Sequence, residues 1–349
     1  MVELRQGPIR DALAAASRVL ATLATALPAD ATVVMVPGNH DHHLLDGWWA
    51  RRAADGPPPP LGLEEQVQWT DADPVAMLAQ ALAPARLEVR YPGVWLREDV
   101  YATHGHYLDR HTTVPVLERL SAGVMARLLR APLGGTGAPD DYEAILRPIY
   151  AWIHAVAQLE RVPWRGTPDV EVRVWRALEH RGSSAGGGQA RAEARQVARG
   201  RGGAARRRAL SLGLQSTIAA LNLAGLGPLR ADLSAVELRR AGTRAFGQVL
   251  ESFQTRPAHA IFGHTHRAGP LPGDDLGEWM SPGGTLLCNS GCWVPEHQLG
   301  EATRAGSPYR PGFCVWVADE GPPRLVNLLD GRDAGPAPAP ERPGRPARA

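Results

Sequence analysis

The sequence predicts an α/β fold whose layered core is interrupted by a long helical segment. Short β-branched or apolar runs alternate with helical periodicity near both ends of the chain, whereas helical periodicity dominates from about residue 112 to 253. The chain has 349 residues, of which 44% are hydrophobic and 21% charged, so it can bury a substantial core. The predicted division is core at 1–109 and 256–330, helical insertion at 110–255, and disordered tail at 331–349.

The first predicted element is an amphipathic helix. Apolar side chains recur at helical spacing from Ile9 to Leu27. Arg18 interrupts this apolar stretch and Glu3 and Asp11 precede it or lie at its start, so we expect a helix rather than a signal peptide. The β-branched run at 32–36 then predicts a strand, which ends at a Pro-Gly turn.

The later elements follow from turn signals and periodicity. Asp73 followed by Pro74 predicts the start of a helix that runs to Leu82. The same reasoning predicts strands at 86–91, 94–96, 100–103, 258–262, 285–289, 313–317 and 324–328, and helices at 44–54, 114–129, 142–162, 170–180, 206–223 and 232–253.

The distribution of charge and the number of cysteines indicate which partners and which cellular compartment to expect. All 38 basic residues are Arg, and eight of them lie in a Gly-rich segment at 181–208. We expect this segment to be a flexible loop, with contact to a polyanion or an anionic lipid surface as the alternative. The three cysteines form no disulfide framework, which favours a reducing compartment.

Three short segments place histidines at the ends of predicted strands. They are Gly-Asn-His-Asp at 38–41, His-Gly-His at 104–106 and Gly-His-Thr-His at 263–266. Loops at one set of strand ends in an open α/β sheet meet at one crevice, so we expect these segments to converge. Neutral imidazoles and an Asn oxygen suit Zn, Mn, Fe or Ni, and the glycines are expected to let the backbone turn sharply.

In this order the three segments resemble the calcineurin-like metallophosphoesterase family. The resemblance covers about 1–109 and 256–330 and implies a four-layer αββα sandwich that holds two divalent metal ions. It implies that Asn39, His104 and His264 bind one metal ion. It also implies that His266 binds the other, that His40 acts on the reacting phosphate, and that Asp41 orients His40.

The chemistry implied by the resemblance is hydrolysis of a phosphate mono- or diester. Two cations hold the phosphoryl oxygens and a bridging hydroxide, which is placed in line with the leaving group. His106 is expected to contact either substrate or metal. His42 and His43 are expected on the surface or behind the first ligands, and Cys288 and Cys292 in ordinary core packing.

The family's usual pattern also begins with an Asp-x-His and a Gly-Asp, which are absent here. No His precedes His40, and the carboxylates before the first strand are Glu3, Asp11 and Asp30. We therefore expect that the recorded start lies too late and that the fold is N-terminally truncated by about one strand, one helix and one strand. With the residues present in this sequence, the resemblance gives one metal ion three protein ligands and the other metal ion one.

The predicted protein is thus a cytoplasmic, metal-dependent phosphoesterase that acts on a small phosphorylated substrate. The helical insertion would cap the crevice and select the substrate, and its apolar helices resemble those of enzymes for lipid-linked or nucleotide-diphosphate substrates. Weak peripheral membrane contact is an alternative role for the Arg-rich segment, and specific nucleic-acid recognition is not expected. The rival from another class is a degenerate, non-catalytic relative that binds a phosphorylated or polyanionic ligand. A metallopeptidase is disfavoured because no His-Glu-x-x-His helix is present.

Overall fold

A computed structural model describes residues 9–113, 137–157, 221–223, 229–230, 235–293 and 306–330. Within these ranges the chain is a mixed α/β structure with a mostly parallel sheet, so the predicted α/β class is confirmed. The predictions for 114–129, 170–180, 181–208 and 331–349 lie outside the described residues, as does most of the helix predicted at 206–223. No described helix combines the length and apolarity needed to cross a membrane.

Most of the described helices and strands lie within a few residues of predicted ones, whereas the strand at Glu64–Gln66 was not predicted. Three single 3-10 turns also occur, at His42–Leu45, His106–Arg110 and Leu276–Trp279. The helices are α1 (Ile9–Ala24), α2 (Asp46–Arg52), α3 (Pro74–Leu82), α4 (Pro139–Ala157) and α5 (Ala235–Ser252). The strands are β1 (Thr32–Met35), β2 (Glu64–Gln66), β3 (Arg86–Arg97), β4 (Val100–Thr103), β5 (His259–Phe262), β6 (Leu286–Asn289), β7 (Phe313–Trp316) and β8 (Arg324–Asn327).

The long strand β3 organises the main sheet, whose order is β1-β3-β4-β5-β6 with β2 also paired to β3. β1 runs parallel to the first part of β3 and ends with Met35 opposite Val89. β4 runs antiparallel to the last part of β3 and ends with Thr103 opposite Gly93. β1 and β4 therefore end beside the middle of the same strand.

The prediction of two separate strands at 86–91 and 94–96 is wrong, because β3 continues through Pro92 and Gly93. At this point β3 changes partner, from β2 to β4. A Cβ on Gly93 would lie 2.2 Å from the hydroxyl of Tyr101, which belongs to the neighbouring strand β4. This close packing requires glycine at position 93. The Pro-Gly pair therefore marks an exchange of partners rather than a turn.

The two faces of the main sheet are covered by different layers. One face packs against the small antiparallel sheet formed by β7 and β8. The contacts join Val100, Ile261 and Cys288 of the main sheet to Val315, Leu325 and Val317, the last of which directly follows β7. The opposite face packs against α4 and α5, and the rings of Phe246 and Phe262 stack with centroids 4.3 Å apart. The described residues thus form helix, sheet and sheet layers.

Helices α4 and α5 share the core of the sheet, although both lie in the segment predicted to be an insertion. Ile145 and Leu146 of α4 and Val249 of α5 are buried in the same cluster as Tyr101 and Ala260 of the sheet. The boundaries predicted for the insertion stay predictions. What the packing establishes is that these two helices help to hold the strands that carry the histidines.

Candidate metal centre

The loops after β1 and β4 meet beside the middle of β3. Gly38, which follows β1, packs so tightly on the His104 ring that a Cβ there would lie 2.3 Å from His104 Cδ2. Glycine is thus required at position 38 by the close approach of an imidazole. The first two histidine segments therefore converge as predicted.

The loops after β4 and β5 are joined by a backbone hydrogen bond. Gly263 N donates to His104 O over 3.0 Å, which continues the parallel pairing of the two strands. The rings of His104 and His264 then lie with centroids 5.3 Å apart, and the ring of His106 lies 5.3 Å from that of His104. His104 is thus in contact with both other segments.

Several buried polar atoms of this cluster have no hydrogen-bond partner among the described residues. They include Asn39 Oδ1, His104 Nδ1, His106 Nδ1 and one oxygen of Asp109, Oδ2. Buried polar atoms without partners are costly, and a bound cation is one kind of partner that would satisfy the acceptors among them. Two of these atoms, Asn39 Oδ1 and His104 Nδ1, belong to predicted metal ligands.

Electrostatics keep the central imidazoles neutral. Burial lowers the pKa of His104 well below its ordinary value, and the neighbouring rings of His264, His40 and His266 lower it further. Burial also lowers the pKa of His106, with His104 as the next cause. A neutral imidazole is the form that binds a metal ion.

The backbone of the third segment is strained at its histidines. His264 and His266 have φ values of 63° and 60°, in the left-handed region that non-glycine residues seldom occupy. Of the glycines in the three histidine segments, Gly105 has the left-handed backbone expected of a sharp turn, with a φ of 99°. Gly38 and Gly263 do not adopt positive φ. Such strain typically costs about 1–3 kcal/mol per residue and clusters at functional sites.

Asn289, which sequence reasoning did not select, holds the third segment in place. Its side-chain amide donates to Gly263 O over 2.8 Å and to Thr265 Oγ1 over 2.9 Å, and it lies at the end of β6. The residue is almost fully buried, so these bonds are shielded from water. The signal in the sequence that could have identified Asn289 is that it is a polar residue at the end of an apolar strand.

A second buried network lies behind the cluster and is centred on Glu143 of α4. Its carboxylate accepts hydrogen bonds from His42 Nε2 (3.0 Å), Tyr91 Oη (2.5 Å) and Tyr107 Oη (2.5 Å). Tyr91 Oη lies 3.3 Å from His106 Nε2. Because the tyrosine proton points to Glu143, His106 donates to the tyrosine oxygen.

This network decides between the two positions expected for His42, on the surface or behind the first ligands. His42 and His43 are 4% and 8% exposed, so neither lies on the surface. His42 is instead fixed behind the site by Glu143. The prediction of core packing is confirmed for Cys288, which is buried in the core between the two sheets.

The residues predicted to act on the phosphate lie in the turn after β1. His40 and Asp41 are half-buried. Desolvation of the Asp41 carboxyl by the surrounding protein raises its pKa to about 6, an effect partly offset by a backbone hydrogen bond from Gly38. His40 and Asp41 directly follow Asn39, a predicted metal ligand, in the chain.

The carboxylates of a dinuclear centre are not gathered here. In the parts of the chain that the structure describes, no group of three His, Cys, Asp or Glu side chains has the arrangement of a metal site. Comparisons with protein-family models, with curated proteins and with solved structures found no match to this chain. The site is therefore interpreted from its own geometry.

Proposed function

We propose that this chain is a metal-dependent phosphoesterase that hydrolyses a phosphate mono- or diester at a dinuclear centre. The observation that carries the proposal is the convergence of three histidine-bearing loops on His104. The resemblance noted in the sequence gives the same ligands, and a four-layer αββα sandwich belongs to the same proposal.

The donor atoms fit a first-row divalent cation such as Mn, Fe, Zn or Ni. Asn39 Oδ1 and His104 Nδ1 are buried without partners among the described residues, and burial keeps His104 neutral. Asn39, His104 and His264 would hold one cation and His266 would contribute to the other. When bound, two such cations polarise the phosphoryl group and activate the attacking water.

The chain's own residues then have separate tasks. His40 would donate a proton to the leaving oxygen, and Asp41 beside it in the turn would orient the ring and stabilise its charged form. Asn289 would keep the strained loop of His264 and His266 in position for binding. The natural substrate is proposed only as a small phosphorylated molecule, with lipid-linked and nucleotide-diphosphate esters as the classes to compare.

The experiment measures hydrolysis of p-nitrophenyl phosphate and its bis ester with added Mn²⁺. We expect turnover that chelation abolishes and that Mn²⁺ restores, and that a His104→Ala, His264→Ala double variant lacks. His259→Gln is the matched control, because His259 lies at the opposite end of β5. Turnover that is indifferent to chelation would overturn the proposal.

The alternative is a non-catalytic relative that binds a phosphorylated or polyanionic ligand. Its basis in the sequence is the Arg-rich segment at 181–208, which carries eight of the 38 arginines. Calorimetric binding of inorganic phosphate in the presence of Mn²⁺, without turnover of either ester, would favour this alternative.

A further inference from the structure

The 3-10 turn after the second histidine segment brings a buried carboxylate onto His264. The left-handed Gly105 starts this turn, and Asp109 lies inside it. Asp109 is 3% exposed, and its Oδ1 lies 2.8 Å from His264 Nε2. A carboxylate only accepts hydrogen bonds, so the Nε2 proton of His264 is donated to Asp109.

We propose that Asp109 is the positioning residue of the metal centre, which holds His264 in the Nε2–H tautomer so that Nδ1 presents the lone pair to the metal. The inference rests on the proposed function, since it concerns a ligand of that site. None of the sequence motifs selects Asp109, which lies five residues beyond His104 in the chain.

The burial of Asp109 supports this assignment. Its second oxygen, Oδ2, is buried and has no hydrogen-bond partner in the described parts of the chain. A buried carboxylate with so little compensation is costly unless positive charge lies close by. A cation on the far nitrogen of His264 would supply that charge, and the carboxylate would in turn make the imidazole a stronger donor.

The strained backbone of His264 indicates why its hydrogen bond to Asp109 matters for the position of its ring. His264 has a φ of 63°, so its backbone conformation must be stabilised by surrounding contacts. The hydrogen bond to Asp109 fixes the ring, and the bonds from Asn289 fix the backbone next to it. Without Asp109 the ring could rotate or exchange tautomers, and metal affinity would fall.

The first test needs no variant. Long-range ¹H–¹⁵N spectra of the metal-free protein, recorded about two units above the ordinary histidine pKa, report the tautomer of each ring. A His264→Gln variant assigns the signals of His264. We expect the Nε2–H tautomer for His264, and the Nδ1–H tautomer would overturn the proposal.

The second test is Mn²⁺ affinity measured by calorimetry. We expect Asp109→Asn to weaken binding about 10- to 100-fold and Asp109→Glu to recover part of the loss. Asp99→Asn, which removes an exposed carboxylate paired with Arg97, is the control and should bind like the parent protein. Unfolding temperatures of the same samples establish that each variant is folded.

The two proposals fail differently. Parent protein that binds no Mn²⁺ would contradict the proposed function, whereas the tautomer spectrum would still decide the Asp109–His264 pair. Parent protein that binds Mn²⁺ with an affinity unchanged in Asp109→Asn would overturn the role of Asp109 alone.

Discussion

His104 is the residue at which the site is assembled. The backbone of Gly38 lies against its ring, and His264 and His106 lie on its other sides. These contacts could be predicted from the sequence only as a convergence of loops. The partner of His264 could not, because Asp109 reaches it through a short turn whose geometry depends on tertiary packing.

At this scale the first prediction concerns His40. Replacing His40 with Ala should reduce turnover by about 10²- to 10⁴-fold, the usual contribution of a general acid, while bound metal stays near the parent level. Turnover and metal content, the latter measured by atomic emission, are compared in the same preparation. Equal losses of metal and activity would make His40 a ligand instead.

The second prediction concerns Glu143, which accepts hydrogen bonds from three buried donors. Glu143→Ala would leave those donors without a partner and should lower the free energy of unfolding by about 3–5 kcal/mol. Glu251→Ala, which removes an exposed carboxylate of α5, should change it by less than about 0.5 kcal/mol. Urea unfolding measures both.

The same carboxylate predicts a pH dependence. Burial by itself would raise the pKa of Glu143, but hydrogen bonds from His42 and the two tyrosines outweigh it and hold the pKa below its ordinary 4.5. A lowered folded-state pKa means that this stabilisation is complete above pH 4.5 and is lost as the pH falls below it. In Glu143→Gln the unfolding free energy should therefore depend less on pH in that range. An unchanged slope would show that the carboxylate is not coupled to folding.

At the scale of elements, strand and helix positions were predictable because local signals determine them. The β-branched run of β1 and the Asp-Pro start of α3 lie where the sequence places them. The Pro-Gly pair in β3 was misjudged because its partners, β2 and β4, are not visible locally. The strain at His264 and His266 was hidden for the same reason, since the neighbouring glycine was the residue expected to turn.

The prediction at this scale tests the contact between two loops. Gly38→Ala would place a Cβ 2.3 Å from Cδ2 of His104, so the ring must move. We expect about 1–3 kcal/mol of destabilisation and a weaker metal site. Gly283→Ala is the control, because its Cβ would make ordinary contacts of 3.6 Å or more with Arg256. Parent-like metal binding in Gly38→Ala would contradict the role of this contact.

For the whole molecule, the sheet and its layers explain why distant segments meet. β1 and β4 end at the middle of β3 from opposite sides, and β5 continues parallel to β4. Helices α4 and α5 cover the sheet face that carries Tyr101 and Phe262, and Glu143 of α4 is buried with Tyr91 and Tyr107. The site thus joins residues from position 38 to position 289, and its geometry depends on the complete core.

The last prediction follows from that dependence. A metal ion that binds the folded chain, but not the separated loops of the unfolded chain, must stabilise the fold by linkage. At about 100 times its dissociation constant, Mn²⁺ should add about 2.7 kcal/mol to the free energy of unfolding, and chelation should remove it. The His104→Ala, His264→Ala double variant should be insensitive to both Mn²⁺ and chelator, because it lacks two imidazoles of the cluster whose ring centroids lie 5.3 Å apart. Thermal unfolding with and without Mn²⁺ measures the effect. A parent protein whose unfolding ignores the metal, or a double variant that still responds to it, would show that the three histidine segments do not form the binding site.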